Sequence, residues 1–421
     1  MTIIRHPSLR RVTGLSYFVN VITGPVKRCR TYRYRLHPTT RQIQALSRQL
    51  DYQRELFNAA LEERIGAWKW ERRSVTLFDQ HKTLTGLKEV RPEVVSGGIT
   101  LCRGTLTRLD RAFASFYRRV RSNETPGFPR FRSAASWDSM QWEDRSGWKL
   151  TEGHRLRLMG IGEIKLNYHQ PHSGTPKAIT VKREGRKWWL SVRCVDVPAQ
   201  PLPSTGREVG IDMGVVNVVA TSDGKLLIGE HFGSKAKVKL AEAQRRLATK
   251  QRGSNRRHRQ AEAVARLHRK VRNKRSSAAH QLSRRLVNDF DFIALEDLAI
   301  AKMTASPKPK PDPENPGNFL PNGRSRKAGL NRSIHDAGWG NLVLMISYKA
   351  ESAGRMVVRV NPHHTSQRCA QCGHIERSNR VSQAAFSCQS CGHEDHADVN
   401  AARNILWAGR AQRVHARAGS H

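Results

Sequence analysis

The sequence predicts a multidomain α+β protein whose C-terminal half is an α/β domain. Three observations predict it. The chain has 421 residues, room for about two to four domains at roughly 100–200 residues each. Its apolar periodicity changes twice, from helical to alternating near residue 128 and to a mixed pattern near 207. From 207 on, the expected elements run β-β-β-α-β-α-β-α, an α/β order with an antiparallel start.

The elements follow in order. Residues 1–30 read as a basic extension. Arg10 and Arg11 before the apolar stretch Leu15 to Val26 imitate a signal peptide, but Asn20 interrupts it and no clean small-residue cleavage site follows. Residues 31–36 alternate like a short strand. Pro38 and Thr39 open a helix, with Gln42 three residues on as a capping-box partner. Leu46, Leu50, Phe57, Leu61 and Ile65 share one helical face. Leu106, Leu109, Phe113 and Phe116 mark a second helix, among Arg108, Arg111, Arg118, Arg119 and Arg121, and Pro126-Gly127 stops it. Residues 38–127 are therefore a basic helical module.

Residues 128–205 read as short β segments. The clearest is a hairpin, with Ile179 and Val181 before the Glu184-Gly185 turn and Trp188, Leu190 and Val192 after it. Trp137, Trp142, Trp148, Trp188 and Trp189 all fall here. They could stack on bases, although tryptophans in a β module more often fill a core.

At 207 the α/β domain begins. Residues 209–220 and 226–228 form strands around the Asp223-Gly224 turn. One or two long helices follow over 235–287, with Leu240, Leu247, Val264, Leu267, Val271, Leu282 and Leu286 as the apolar seam. The charged residues on the remaining faces are nearly all Arg and Lys, which favours a phosphate-tracking surface over an ordinary solvated one. Phe292–Leu295 is a buried strand. Pro307, Pro309, Pro311, Pro313, Pro316 and Pro321 mark a stiff segment. A helix is expected over Ile334–Ser352, a strand at Val357–Val360, and a closing helix at about Val399–Leu406.

Charge narrows the partners. Seventy-four Lys and Arg oppose thirty-five Asp and Glu, a net of +39. Such an excess repels itself unless a polyanion neutralises it, and nucleic acid does so with counterion release. A membrane is the competitor, but no run of about 18 apolar residues exists to span one.

Two groups of residues carry chemistry. Cys369-x2-Cys372, fifteen residues, then Cys388-x2-Cys391 has the spacing of a tetrahedral four-cysteine zinc site. Gly373 and Gly392 follow the second cysteine of each pair, where a knuckle turns tightly. His374 and His393 are spare imidazoles beside them. Cys29, Cys102 and Cys194 are isolated, so the pattern suits a reducing compartment better than a disulfide framework. The second group is Asp212, inside an apolar strand, Glu296, at the end of another, and Asp398, before the final helix. An acid in an apolar strand is costly unless something pairs with it. Three converging acids suit a divalent metal, and two ions held there can activate water for phosphodiester hydrolysis. Singly, Asp212 could pair with a lysine, Glu296 with Asp297 could cap a turn, and Asp398 could be a helix N-cap.

Gly210-Ile211-Asp212-Met213-Gly214, Ala294-Leu295-Glu296-Asp297-Leu298 and Asp398-Val399-Asn400-Ala401-Ala402-Arg403-Asn404-Ile405 resemble the three motifs of a RuvC-like nuclease of RNase H fold. More specifically, they resemble the transposon-encoded TnpB family, ancestral to compact type V CRISPR effectors. Asn331-Arg332-Ser333-Ile334, Gly338-Trp339-Gly340, Tyr348-Lys349-Ala350, Thr365-Ser366-Gln367-Arg368-Cys369 and Gly127-Phe128-Pro129-Arg130-Phe131 are similar to that family's pattern too. The likeness covers about 31–408.

The resemblance implies an intracellular, RNA-guided DNA endonuclease. It would take up a guide RNA and double-stranded target DNA beside a short adjacent motif, and cut at Asp212, Glu296 and Asp398 with magnesium or manganese. By this likeness 31–37 and 128–205 are a β-barrel wedge domain and 38–127 a helical recognition domain. Residues 207–368 and 394–408 are the RuvC-like domain, with 303–332 a mobile lid, 369–393 a zinc-binding insertion and 409–421 a tail. Residues 1–30 have no counterpart in that pattern. His396-Ala397 replaces the Asp-Arg usual before the last acid, which leaves Asp395 a distant second to Asp398. An RNA-guided DNA-binding regulator without cleavage, or a structure-specific nuclease or transposase, is the alternative.

Overall fold

Arg30–His37 forms the first strand, β1, and its burial alternates as its sequence does: Tyr32, Tyr34 and Leu36 are buried and Arg33 is exposed. The computed structural model describes residues 28–228 and 234–418. The basic extension therefore lies almost wholly outside the described residues. The chain divides into two compact units, one over residues 28–198 and one from Ala199 on.

In the first unit β1 is followed by α1 (Thr40–Glu71), α2 (Leu77–Val90), α3 (Pro92–Val95) and α4 (Ile99–Arg121), then by β2 (Ser139–Trp142), β3 (Trp148–Thr151), β4 (Arg155–Leu158), β5 (Gly162–Asn167), β6 (Thr175–Glu184) and β7 (Lys187–Val195). The Thr39–Gln42 capping box forms as expected: each side chain accepts from the other's backbone N–H, at 3.3 and 3.0 Å. α2 is an addition to the two predicted helices. Only Gln80 and Leu84 are buried along it, too few to make a stripe.

The strands form one antiparallel sheet in the order β2-β6-β7-β1-β5-β4-β3. Its edges β2 and β3 do not pair, so the sheet is open along its hydrogen bonds. Helices and sheet share a single core. Leu46, Leu50, Phe57 and Leu61 enter it from α1, Leu101, Leu106 and Leu109 from α4, and Trp137, Trp142, Trp148 and Trp188 from the strands and the segments beside them. Gly104 lets α4 approach β2 closely: a Cβ there would lie 2.2 Å from the Gln141 carbonyl oxygen. Trp189 alone stays half-exposed, beneath the Arg33 guanidinium. Four of the five tryptophans are thus core residues.

The second unit holds β8 (Glu208–Asp212), β9 (Asn217–Thr221), β10 (Leu226–Ile228), α5 (Ser234–Ala248), α6 (Asn255–Asp289), β11 (Phe292–Glu296), α7 (Ile300–Met303), β12 (Lys310–Pro311), β13 (Phe319–Leu320), α8 (Arg324–Ala337), α9 (Trp339–Ala353), β14 (Met356–Val360), β15 (Ala385–Ser387), β16 (Glu394–His396) and α10 (Ala397–Ala418). Its main sheet runs β10-β9-β8-β11-β14. β9 is antiparallel to β8 and β10, whereas β11 is parallel to both β8 and β14. Every residue of β11 is buried, as a central parallel strand covered on both faces requires.

One face packs on α6 and α9 through Val209, Ile211, Ile293, Leu295, Leu286, Leu342 and Ile346. The other packs on α10, where Ile405 meets Phe292, Ala294, Val358 and Val360. β8 and α10 nearly touch at Gly210. A Cβ there would sit 2.1 Å from the Ala402 carbonyl oxygen, so no larger residue fits.

Two expectations are corrected. The helix expected over Ile334–Ser352 breaks at Gly338, whose φ of 69° closes α8 and opens α9. The proline segment, 303–332, contains the β12–β13 ladder and the start of α8. The closing helix does not stop near Leu406 before a tail. It runs from Ala397 to Ala418, held beyond Leu406 by Arg410 and Arg413, which pair with Glu208 at 2.6 and 2.5 Å. Among the described residues, no helix is long and apolar enough to cross a membrane.

Candidate active site

β8 and β11 are apolar strands that each end in an acid. Their parallel register pairs Ala294 with Gly210 and Leu295 with Ile211. The next step puts Glu296 beside Asp212, at the carboxyl ends of two adjacent strands. This is the end of an α/β sheet where ligands bind.

Asp398 reaches the same place from another element. It lies in the first turn of α10, and α10 is pressed onto β8 by the Gly210 contact. Its carboxylate does not cap the helix among the described bonds. It accepts from the Asn217 amide at 3.1 Å and from the Arg380 guanidinium at 3.1 Å. The Asp398 backbone N–H is taken instead by His396 Nδ1, at 3.2 Å. Asp395 points elsewhere, into an ion pair with Arg403 at 2.6 Å, with the His393 ring 3.9 Å away.

The electrostatics register the meeting of the three acids. Burial first, then the negative charges of Glu296 and Asp398, push the Asp212 carboxyl up to about 7, and Arg380 pulls it partly back. Burial also raises Glu296, against a hydrogen bond from Thr365 Oγ1 at 2.5 Å. Glu296 and Asp398 are only 9% and 8% exposed. Two buried acids whose charges bear on a third, half-buried one make a site short of positive charge. A hard divalent cation with oxygen ligands is the group that fits.

The cysteine cluster is built from two matching knuckles. The Gly373 N–H donates to the Cys369 carbonyl and the Gly392 N–H to the Cys388 carbonyl, each at 3.0 Å. Both glycines have positive φ, 80° and 69°. The Cys369 and Cys388 N–H groups donate to the carbonyls of His374 and His393. All four sulfurs lie within 4.8 Å of one another, a donor set that fits one tetrahedral zinc. The two histidines shape the turns through their backbones, and their side chains face Glu376 and Asp395.

Sequence reasoning missed three polar residues that hold the acids. Thr365 fixes Glu296, Asn217 fixes Asp398, and Arg380 answers both Asp398 and Asp212. Arg380 sits in the loop between the knuckles, where one arginine among many gave no signal. α10 also grips the first knuckle. Asn400 donates to the Arg368 carbonyl at 2.8 Å and accepts from the Ala370 N–H at 2.9 Å. Asn404, one turn on, donates to the carbonyls of Thr365 and Arg368. The cysteine module, Arg380 and two of the acids are thus one mechanical assembly.

Comparison with known proteins follows the same division. Family models match at residues 28–73 ("Helix-turn-helix domain"), 191–306 ("Probable transposase") and 339–405 ("Cas12f1-like, TNB domain"). Residues 30–71 of the first span are here one strand and one long helix. The chain is 34% identical to "Putative RNA-guided DNA endonuclease InsQ" of Escherichia coli (strain K12), over 73% of each chain. It is 31% identical to a like-named protein of Streptomyces pristinaespiralis, over 91% of this chain and 90% of that one. It is also 31% identical to the CRISPR-associated endodeoxyribonuclease Cas12f1 of Sulfoacidibacillus thermotolerans, over 52% of this chain and 50% of that one. A solved Cas12f1–sgRNA–target DNA complex aligns over 90% of this chain and 99% of that one at 15% identity, but with a TM-score of 0.34 it carries no inference.

Proposed function

The chain belongs to the TnpB family, and from that membership we propose that it is an RNA-guided DNA endonuclease. It takes up a guide RNA, pairs it with one strand of a DNA duplex beside a short adjacent motif, and cuts DNA at Asp212, Glu296 and Asp398. Two relatives that align over more than two thirds of their length carry that activity in their names. A net charge of +39 suits a protein that lives with RNA and DNA.

The observation that carries the cutting reading is the meeting of three acids at the carboxyl end of the β8–β11 pair, with Asp212 raised by burial and by the charges of the other two. Divalent magnesium or manganese bound there would activate water and stabilise the leaving oxygen in phosphodiester hydrolysis. The chain's own residues prepare for it. Thr365 orients the Glu296 carboxylate, and Asn217 and Arg380 hold the two oxygens of Asp398. Arg380 also supplies a positive charge where a phosphate would approach. Zinc on Cys369, Cys372, Cys388 and Cys391 would keep the Arg380 loop ordered.

The test begins with sequencing the RNA that copurifies with the protein. A plasmid matched to that RNA, with randomised flanking bases, is then offered with magnesium. The expected result is cutting of matched plasmid only, beside one recurrent flanking motif. Random RNA in the preparation would overturn the guided reading. A discrete RNA with tight binding but no cutting would identify a DNA-binding regulator instead.

A further inference from the structure

Beside the acids lies a cavity of about 320 Å³, near the lower end of small-molecule pockets. Glu296 itself and Met213, the residue after Asp212, form the wall nearest the acids. Leu298 and Ile300, just after β11, and Val343 and Leu344 of α9 form apolar walls. Arg359 stands at its rim, paired with Asp297 at 3.5 Å. Leu344 is 61% exposed, an apolar side chain facing water at the edge of a charged centre.

Gly340 opens this cavity. It lines the wall, and a Cβ built on it would meet only the Ile300 side chain, at 3.8 Å. Nothing in the backbone demands glycine there, since Gly340 is not among the residues of positive φ. Its neighbours have structural duties: Gly338 makes the left-handed joint between α8 and α9, and the Trp339 indole N–H donates to the Gly214 carbonyl at 3.0 Å, two residues after Asp212. Gly340 has no such duty. What it contributes is empty space one residue from the element that anchors the catalytic strand.

We propose that this cavity holds one unpaired nucleobase of the DNA strand being cut, the base next to the scissile phosphate; this rests on the nuclease reading above. A phosphate would be repelled here by Glu296 and Asp297. A base presents flat apolar faces to Leu298, Val343 and Leu344, and polar edges that Arg359 can meet. Because Glu296 is itself a wall of the cavity, a phosphate at the acids places its neighbouring base at the mouth. Seating that base fixes the strand along the direction of attack.

The test uses the protein purified with its own RNA and a matched duplex. A synthetic abasic nucleotide is placed in turn at each position around the cut, and cutting is timed at saturating DNA. Wild type should slow at one position adjoining the cut by about tenfold, the loss expected for one forfeited stacking contact. Gly340→Phe fills the cavity and should cut intact DNA as slowly, with no further loss at that abasic position. Leu344→Gln changes an exposed side chain that cannot unfold the domain, and should lose part of the rate and part of the abasic contrast. Uniform cutting of all abasic substrates by wild type would overturn the inference and leave the nuclease reading intact. So would full activity of Gly340→Phe. Failure of wild type to cut any matched DNA would overturn both.

Discussion

Asp212 and Glu296 stand side by side at the carboxyl ends of two neighbouring parallel strands, one residue beyond the Ile211–Leu295 register pair. Burial and the Glu296 charge make Asp212 costlier to ionise, Asp398 adds to that cost, and burial raises Glu296 as well. The predictions below follow from that crowding and from the groups that relieve it.

The first concerns pH and stability without divalent metal. The Asp212 carboxyl is raised to about 7 in the folded chain, against about 3.9 when unfolded. Between those values the folded state binds the extra proton, so this group's contribution is greatest below about pH 4 and is lost as pH rises to about 7. Asp212→Asn removes the ionisation. In chelator at pH 8 it should melt several degrees above wild type, and at pH 4 the two should converge. Added magnesium should raise the wild-type melting temperature and not the variant's. Parallel melting curves across this range would refute the crowding.

The third acid is decided by comparing two neighbours. Asp398→Ala should reduce cutting of matched DNA by roughly a thousandfold or more, as loss of one member of a cooperating site does. Target binding in a gel-shift should survive, because affinity comes from phosphate contacts and base pairing made elsewhere. Asp395→Ala should keep most activity, because Asp395 serves Arg403. The reverse result would transfer the role to Asp395.

Arg380 gives a prediction with a sign. Its positive charge lowers the Asp212 carboxyl and pairs with Asp398. Arg380→Ala should slow cutting and shift the acidic limb of the rate–pH profile to higher pH, since the acids then ionise later. Arg380→Lys should restore the position of the limb and part of the rate. A slower enzyme with an unmoved profile would mean that Arg380 acts only on the DNA.

Zinc should be tied to cutting through α10. Cys388→Ser should lower zinc below one ion per chain, measured by elemental analysis, because a four-cysteine site tolerates no missing ligand well. Asn400 and Asn404 join the first knuckle to the helix of Asp398, so cutting should fall with the zinc. The first unit has its own core and should still melt as in wild type. Full cutting by zinc-free protein would break the proposed linkage.

The sequence by itself determined the apolar strands and helices, the cysteine spacing and the three acids. Each is a local pattern: alternation in β1, the box at Thr39 and Gln42, two paired cysteines with a glycine after each pair. Family membership was legible for the same reason, since its motifs are short contiguous strings around Asp212, Glu296 and Asp398. Tertiary structure alone decided what surrounds the acids. Arg380, Thr365 and Asn217 lie 18, 33 and 181 residues from Asp398 along the chain, and no periodicity links them. It also decided that Gly210 is an approach point for α10 and not merely a flexible residue, and that Gly338 divides one expected helix into two. A residue's own chemistry is written in its identity, but the field it sits in comes from neighbours that only folding brings within a few ångströms.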